Sequence, residues 1–121
     1  MIKNARYVIA VPDLERSAAF YRDMLGFTVH EIGNAGWRFF VKDHCFIMAG
    51  ECRDAMPVAD TGDHSYFAYL DVDDVDALHA ELSAKGVELV KPLRSEVWGQ
   101  REFGIRTVDG HRIMFGSPVA A

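Results

Sequence analysis

Apolar and polar positions alternate along this chain with two periods. Tyr7-Val8-Ile9-Ala10-Val11 is a β-favouring run that stops at Pro12-Asp13. Behind it Leu14, Ala18, Tyr21 and Leu25 recur on one stripe of an about 3.6-residue period. The spacing predicts a strand over Tyr7–Val11 and a helix over 13–25. Asp13 is its N-cap, and Gly26 takes the left-handed position beyond its end. Strands over 27–31, Trp37–Lys42 and 44–49 follow, separated by Gly33-Asn34-Ala35-Gly36 and by a tight turn at Asp43.

The same order then recurs. Residues 65–72 read as a strand, and Asp73 or Asp74 caps a helix carrying Val75, Leu78 and Leu82. Gly86 stands where Gly26 stood, and strands over 87–91, 101–108 and 111–116 follow, the last two joined at Asp109-Gly110. The chain therefore divides into two tandem βαβββ modules, 1–50 and 64–121, joined by a polar linker over 51–63. The fold class is α+β. Each module makes a mixed sheet with a helix on one face, and the two sheets are expected to curve into a trough with the helices on its convex side. The concave side is left for a ligand.

Composition narrows the function. The 121 residues are half apolar and carry a formal charge of −5, the profile of an ordinary globular domain. Acidic excess without a Lys/Arg cluster argues against nucleic acid, and no apolar run is long enough to span a bilayer. A cytoplasmic protein is expected. Cys45 and Cys52 lack the partners of a zinc-finger spacing and read as reduced thiols.

The run Val11-Pro12-Asp13-Leu14, then Ser17, Phe20-Tyr21 and Leu25-Gly26-Phe27, resembles the vicinal oxygen chelate superfamily of glyoxalases, extradiol dioxygenases, fosfomycin-resistance enzymes and bleomycin-resistance proteins. The resemblance covers essentially the whole chain and implies the glyoxalase/bleomycin resistance fold. Its metal-dependent members carry His or Glu at four equivalent strand positions. Those positions fall here on Arg6, Met48, Phe67 and Met114, none of them a donor for a hard cation. No metal, no cofactor and no catalytic residue is therefore expected. The segment Trp98-Gly99-Gln100-Arg101-Glu102-Phe103 resembles the W-G-x-R-E-F stretch of the bleomycin-resistance branch. That resemblance implies a homodimer which sequesters a planar, cationic antibiotic-like molecule, with Trp98 as stacking platform and Trp37 as a second wall. The family's R-D-P-D-G turn reads Arg106-Thr107-Val108-Asp109-Gly110 here, keeping only its Asp-Gly.

Strand alternation turns this into a candidate lining. With Met48 and Met114 inward, His44, Phe46, Arg112 and Gly116 also point inward, joined by Arg6, Val8, Ala10, Ser65, Phe67 and Tyr69. Ile47, Ile113 and Phe115 then pack under the helices. Thioethers and aromatic rings suit a flat apolar ligand. The alternative is that the same side chains simply fill the trough as core. Arg6 pairs with a carboxylate such as Glu102 or receives an anionic group of a ligand, while His30, His64, His79 and His111 are expected at the surface. The acidic positions Asp71, Asp73, Asp74 and Asp76 read as helix-capping and solvated. The ligand-binding set is thus Arg6, Trp37, His44, Phe46, Met48, Phe67, Tyr69, Trp98, Arg101, Glu102, Arg112 and Met114. The rival function is an enzyme of the same superfamily, a lyase or isomerase with a non-standard metal site, for example through His44 and Glu102, or with none.

Overall fold

The computed structural model describes residues 1–119, without the side chains of Asp63 and His64. The elements run β1 (Tyr7–Val11), α1 (Leu14–Asp23), β2 (Thr28–Glu31), β3 (Trp37–Lys42) and β4 (Cys45–Glu51). A 3-10 segment (Val58–Ser65) follows, then β5 (Tyr66–Asp71), α2 (Val75–Ala84), β6 (Glu88–Ser95), β7 (Gln100–Arg106) and β8 (Arg112–Pro118). The βαβββ pattern is present twice, in two units that divide at Pro57/Val58. The sheets have the same strand order, β1-β4-β3-β2 and β5-β8-β7-β6. In each, the first strand runs parallel to the last and the other pairs are antiparallel.

Both helices start on aspartate. The side chain of Asp13 accepts from the Arg16 amide at 3.2 Å and that of Asp74 from the Ala77 amide at 3.0 Å, satisfying N–H groups that have no partner within the helix. The apolar stripe of α1 then packs on one face of its sheet. Tyr21 stacks on Phe40 at 4.7 Å and meets the edge of Phe27 at 5.4 Å, with Ile9, Val11 and Ile47 buried beside them. In the second unit α2 buries Val75 and Leu82. The sheet beneath it supplies Phe103, Ile105, Ile113 and Phe115, with Phe103 stacked on Phe115 at 5.3 Å. One face of each sheet is therefore core, and pleating sends the intervening residues to the helix-free face.

Four local departures have physical causes. His44 lies in the two-residue turn that joins Lys42 to Cys45, where Asp43 takes φ +50°, so His44 is exposed outside the strand predicted over 44–49. Strand β6 runs on through Pro92 to Ser95, which an edge strand tolerates because no neighbour needs the missing N–H. Its register against β7 shifts twice on the way. The linker contains the 3-10 segment, where the Ser65 hydroxyl donates to the Gly62 carbonyl at 3.2 Å, and β5 begins only at Tyr66. Lastly, the β5–β8 register slips between Tyr66 and Ala68, which breaks the alternation assumed for Phe67.

Candidate functional site

The helix-free face of the second sheet gathers most of the chemistry. Glu102 on β7 stands opposite Gly116 on β8, and Gly104 stands opposite Met114. Strand β5 lays two tyrosines across these glycines. A Cβ at Gly116 would overlap the Tyr69 hydroxyl, and one at Gly104 would lie 2.6 Å from the Tyr66 hydroxyl. The slip at Phe67 is what brings Tyr66 and Tyr69 to the same face. Phe67 itself packs edge-on to His111 at 5.5 Å.

Glu102 is the centre of this face and only 3% exposed. One carboxylate oxygen accepts from the Tyr69 hydroxyl at 3.1 Å and from the Trp98 indole N–H at 3.0 Å; the other accepts from the Lys91 ammonium at 2.5 Å. Burial alone would raise its pKa, but the hydrogen bonds from Lys91, Trp98 and Tyr69 outweigh it and hold the carboxyl below the usual range. Tyr69 responds in the opposite sense. Burial, with the Glu102 carboxylate as its acceptor, pushes the phenol up to about 12, so it stays a donor. Lys91 also bridges to Glu96 at 3.2 Å, and Glu96 is held low by its bond from Arg94. The Lys91 ammonium sits over the Trp98 ring, 5.3 Å from its centroid, yet Trp98 remains 62% exposed. Arg112 lies over Tyr66 at 5.5 Å.

The first unit carries an apolar counterpart. Trp37 stands opposite Gly50, and a Cβ there would lie 2.9 Å from the Trp37 ring. Phe39 meets Phe46 at 5.2 Å, and Met48 stands in register opposite Phe39 and beside Val8. The exposed Arg6 places its guanidinium 4.5 Å from the Phe46 ring centroid. By strand order Met48 matches Met114 and Gly50 matches Gly116, so the repeat extends to an aromatic ring over a glycine in each module.

The sequence-derived set is thus partly gathered. Tyr69, Trp98 and Glu102 are bonded together with Met114 and Arg112 on the same face. Trp37, Phe46, Met48 and Arg6 share the helix-free side of the first sheet. Arg101 points the other way and forms a bidentate pair with Asp76 on α2 at 2.9 and 3.1 Å. Phe67 turns toward His111, and His44 is a turn residue. His111, expected at the surface, is buried at 6% exposure, and burial lowers its pKa below 6.5 against an opposing pull from Asp109. His79 packs edge-on to Phe103 at 5.1 Å; the expectation for the His64 side chain lies outside the described residues. Lys91 and Tyr66 are outside the sequence-derived ligand-binding set, although a glycine inside a strand, Gly104, signals the close approach that both make.

The residues that the resemblance sets at the metal positions, Arg6, Met48, Phe67 and Met114, do not fit a metal by their chemistry. Arg6 is a cation resting on an aromatic ring, Phe67 has no lone pair, and Met48 and Met114 offer only thioethers. Among the described residues no three His, Cys, Asp or Glu side chains are grouped closely enough to hold an ion. Nor, among the described residues, is any helix long and apolar enough to cross a membrane.

Two βαβββ modules in one chain define the class: the tandem domain shared by glyoxalase-type enzymes and antibiotic-binding proteins. The model of the Glyoxalase/Bleomycin resistance protein/Dioxygenase superfamily matches residues 3–115, and the chain belongs to that family. Similar solved structures include the bleomycin-binding protein of Streptomyces verticillus complexed with copper(II)-bleomycin. It is 23% identical with a TM-score of 0.73, over 98% of this chain and 100% of that one. TnmS3, an antibiotic binding protein from Streptomyces sp. CB03234, is 23% identical with a TM-score of 0.74 over 98% and 99%. A glyoxalase-related enzyme from Clostridium phytofermentans superposes at 0.79 with 14% identity over 98% and 97%. The search of curated protein sequences gives no match.

Proposed function

We propose that this chain is a small-molecule binding protein of the bleomycin-resistance type, which sequesters a planar, antibiotic-like ligand without a metal. The observation that carries the reading is Trp98, a large aromatic side chain 62% exposed and yet anchored through its indole N–H. Aromatic surface of this kind is costly to leave in water and gains broad contact area when a flat ligand covers it. Thioethers at the family's metal positions support the metal-free part. The surplus of five negative charges supports a cationic ligand. A cytoplasmic homodimer belongs to the same reading, since each sheet ends in open edge strands that a two-fold partner would cover.

The test is titration with metal-free bleomycin and copper(II)-bleomycin, followed by tryptophan fluorescence and calorimetry. A saturable quench is expected, and Trp98→Ala is expected to weaken binding by about tenfold or more, the loss of roughly 1.4 kcal/mol. Absence of both quench and heat at micromolar protein overturns this ligand class.

A second reading rests on the titratable group Tyr69, Lys91, Glu96 and Glu102, which offers both a donor and a carboxylate: a lyase or isomerase working by proton transfer. The likeness to the clostridial enzyme supports the fold of that reading. Turnover of a glyoxalase-type hemithioacetal, abolished in Glu102→Gln, is its expected signature.

A further inference from the structure

Trp98 projects from a tight turn in which the Gly99 amide donates to the Glu96 carbonyl at 3.1 Å and Gly99 takes φ +91°. An exposed indole on such a turn ordinarily samples several rotamers. Here two contacts restrain it: the N–H bond to Glu102 at one edge, and the Lys91 ammonium over one face. The carboxylate that makes the first contact cannot itself move. It is buried, pinned by Tyr69 through the same oxygen and by Lys91 through the other, on a strand paired on both sides. Lys91 also fills the cation–π position on one side of the ring, so a ligand can stack only on the other.

We infer that Glu102 is a positioning residue, which locks Trp98 into a one-sided stacking platform without touching the ligand. The inference rests on Trp98 being that platform. Its energetic logic is preorganisation: an indole already held in one rotamer loses less entropy when a planar molecule covers it. Glu102→Gln breaks the lock selectively. The amide has one acceptor oxygen, which turns to the Lys91 ammonium and leaves its NH2 facing the indole N–H, donor against donor, so the ring is released.

The experiment uses Trp37→Phe protein, in which Trp98 is the remaining tryptophan, and needs no ligand. Glu102→Gln is expected to raise acrylamide quenching of Trp98 and to add a fast component to its time-resolved anisotropy. Glu102→Asp keeps the charge beside Lys91, and with it the fold, but withdraws the oxygen from the indole; it is expected to free Trp98 in the same way. Unchanged quenching and anisotropy in a folded variant overturn the inference. Calorimetry with bleomycin on otherwise unaltered protein then reads the consequence. Glu102→Gln lowers affinity about tenfold, the scale of a hydrogen bond to a charged group. In a Trp98→Phe background, which has no N–H to hold, it lowers affinity no further. Additive losses overturn a role exerted through Trp98. If bleomycin fails to bind even the parent protein, the ligand reading falls, while acrylamide still decides whether Glu102 holds the ring.

Discussion

His111 and Glu102 are both buried polar side chains of the second module, and acid destabilises the fold through each of them, in different pH windows. His111 has its folded-state pKa below 6.5 because burial penalises the imidazolium. The unfolded chain therefore takes up this proton first, so stability is intact above about pH 6.5 and is lost as the pH falls from there toward the folded value. Glu102 has its folded pKa below 4.5, so its contribution is fully present above about pH 4.5 and is lost as the pH falls from there through the lower folded value. Thermal midpoints measured from pH 8 to 5 are expected to fall below pH 6.5 in the natural protein. In His111→Gln that slope is expected to flatten, since no buried imidazole is left to charge. The Nδ1 of His111 has no hydrogen-bond partner among the described residues, so the pull of Asp109 acts on the buried proton without a hydrogen bond to help it.

At the scale of the element, the two aspartate caps can be exchanged for alanine independently. Asp13→Ala and Asp74→Ala are each expected to cost about 1 kcal/mol in chemical denaturation, one helix per module. These caps, the glycines after the helices and the recurring order of strands were legible because each depends on neighbours in sequence. Contacts that depend on register were not. The slip at Phe67 exchanges Tyr66 for Phe67 on the helix-free face, and no residue type within Tyr66-Phe67-Ala68 announces it. Lys91 reaches Glu102 from an edge strand whose pairing shifts on both sides of it, so counting by twos could not place it. Arg101 and Glu102 are adjacent and so face opposite ways. The sequence motif contains both, but only Glu102 belongs to the site, while Arg101 ties β7 to α2 through Asp76.

For the whole molecule, the acidic surplus and the site are separate matters. Glu15, Asp23, Asp73, Asp74, Asp76 and Glu81 lie on or beside the helices. The helix-free face of the second sheet instead carries Lys91, Arg106 and Arg112 alongside Glu88 and Glu102. The net −5 therefore acts on an approaching ligand at long range, where salt screens it, and contact is governed by aromatic surface. The metal-free reading has its own check. Dialysis against EDTA is expected to leave the thermal midpoint and the titration with metal-free bleomycin unchanged, with no stoichiometric Zn, Ni, Mn or Fe by elemental analysis. A fall in either on chelation returns the chain to the metal-dependent branch of its family. The rings seated on Gly50 and Gly116 carry one more consequence. A ring lying directly on backbone cannot sink into the sheet, and a methyl group placed beneath it would lift it. Each face is thus a floor of fixed height, which selects for thinness: a flat molecule meets it along its whole area, while a bulky substituent props the molecule up and forfeits that contact.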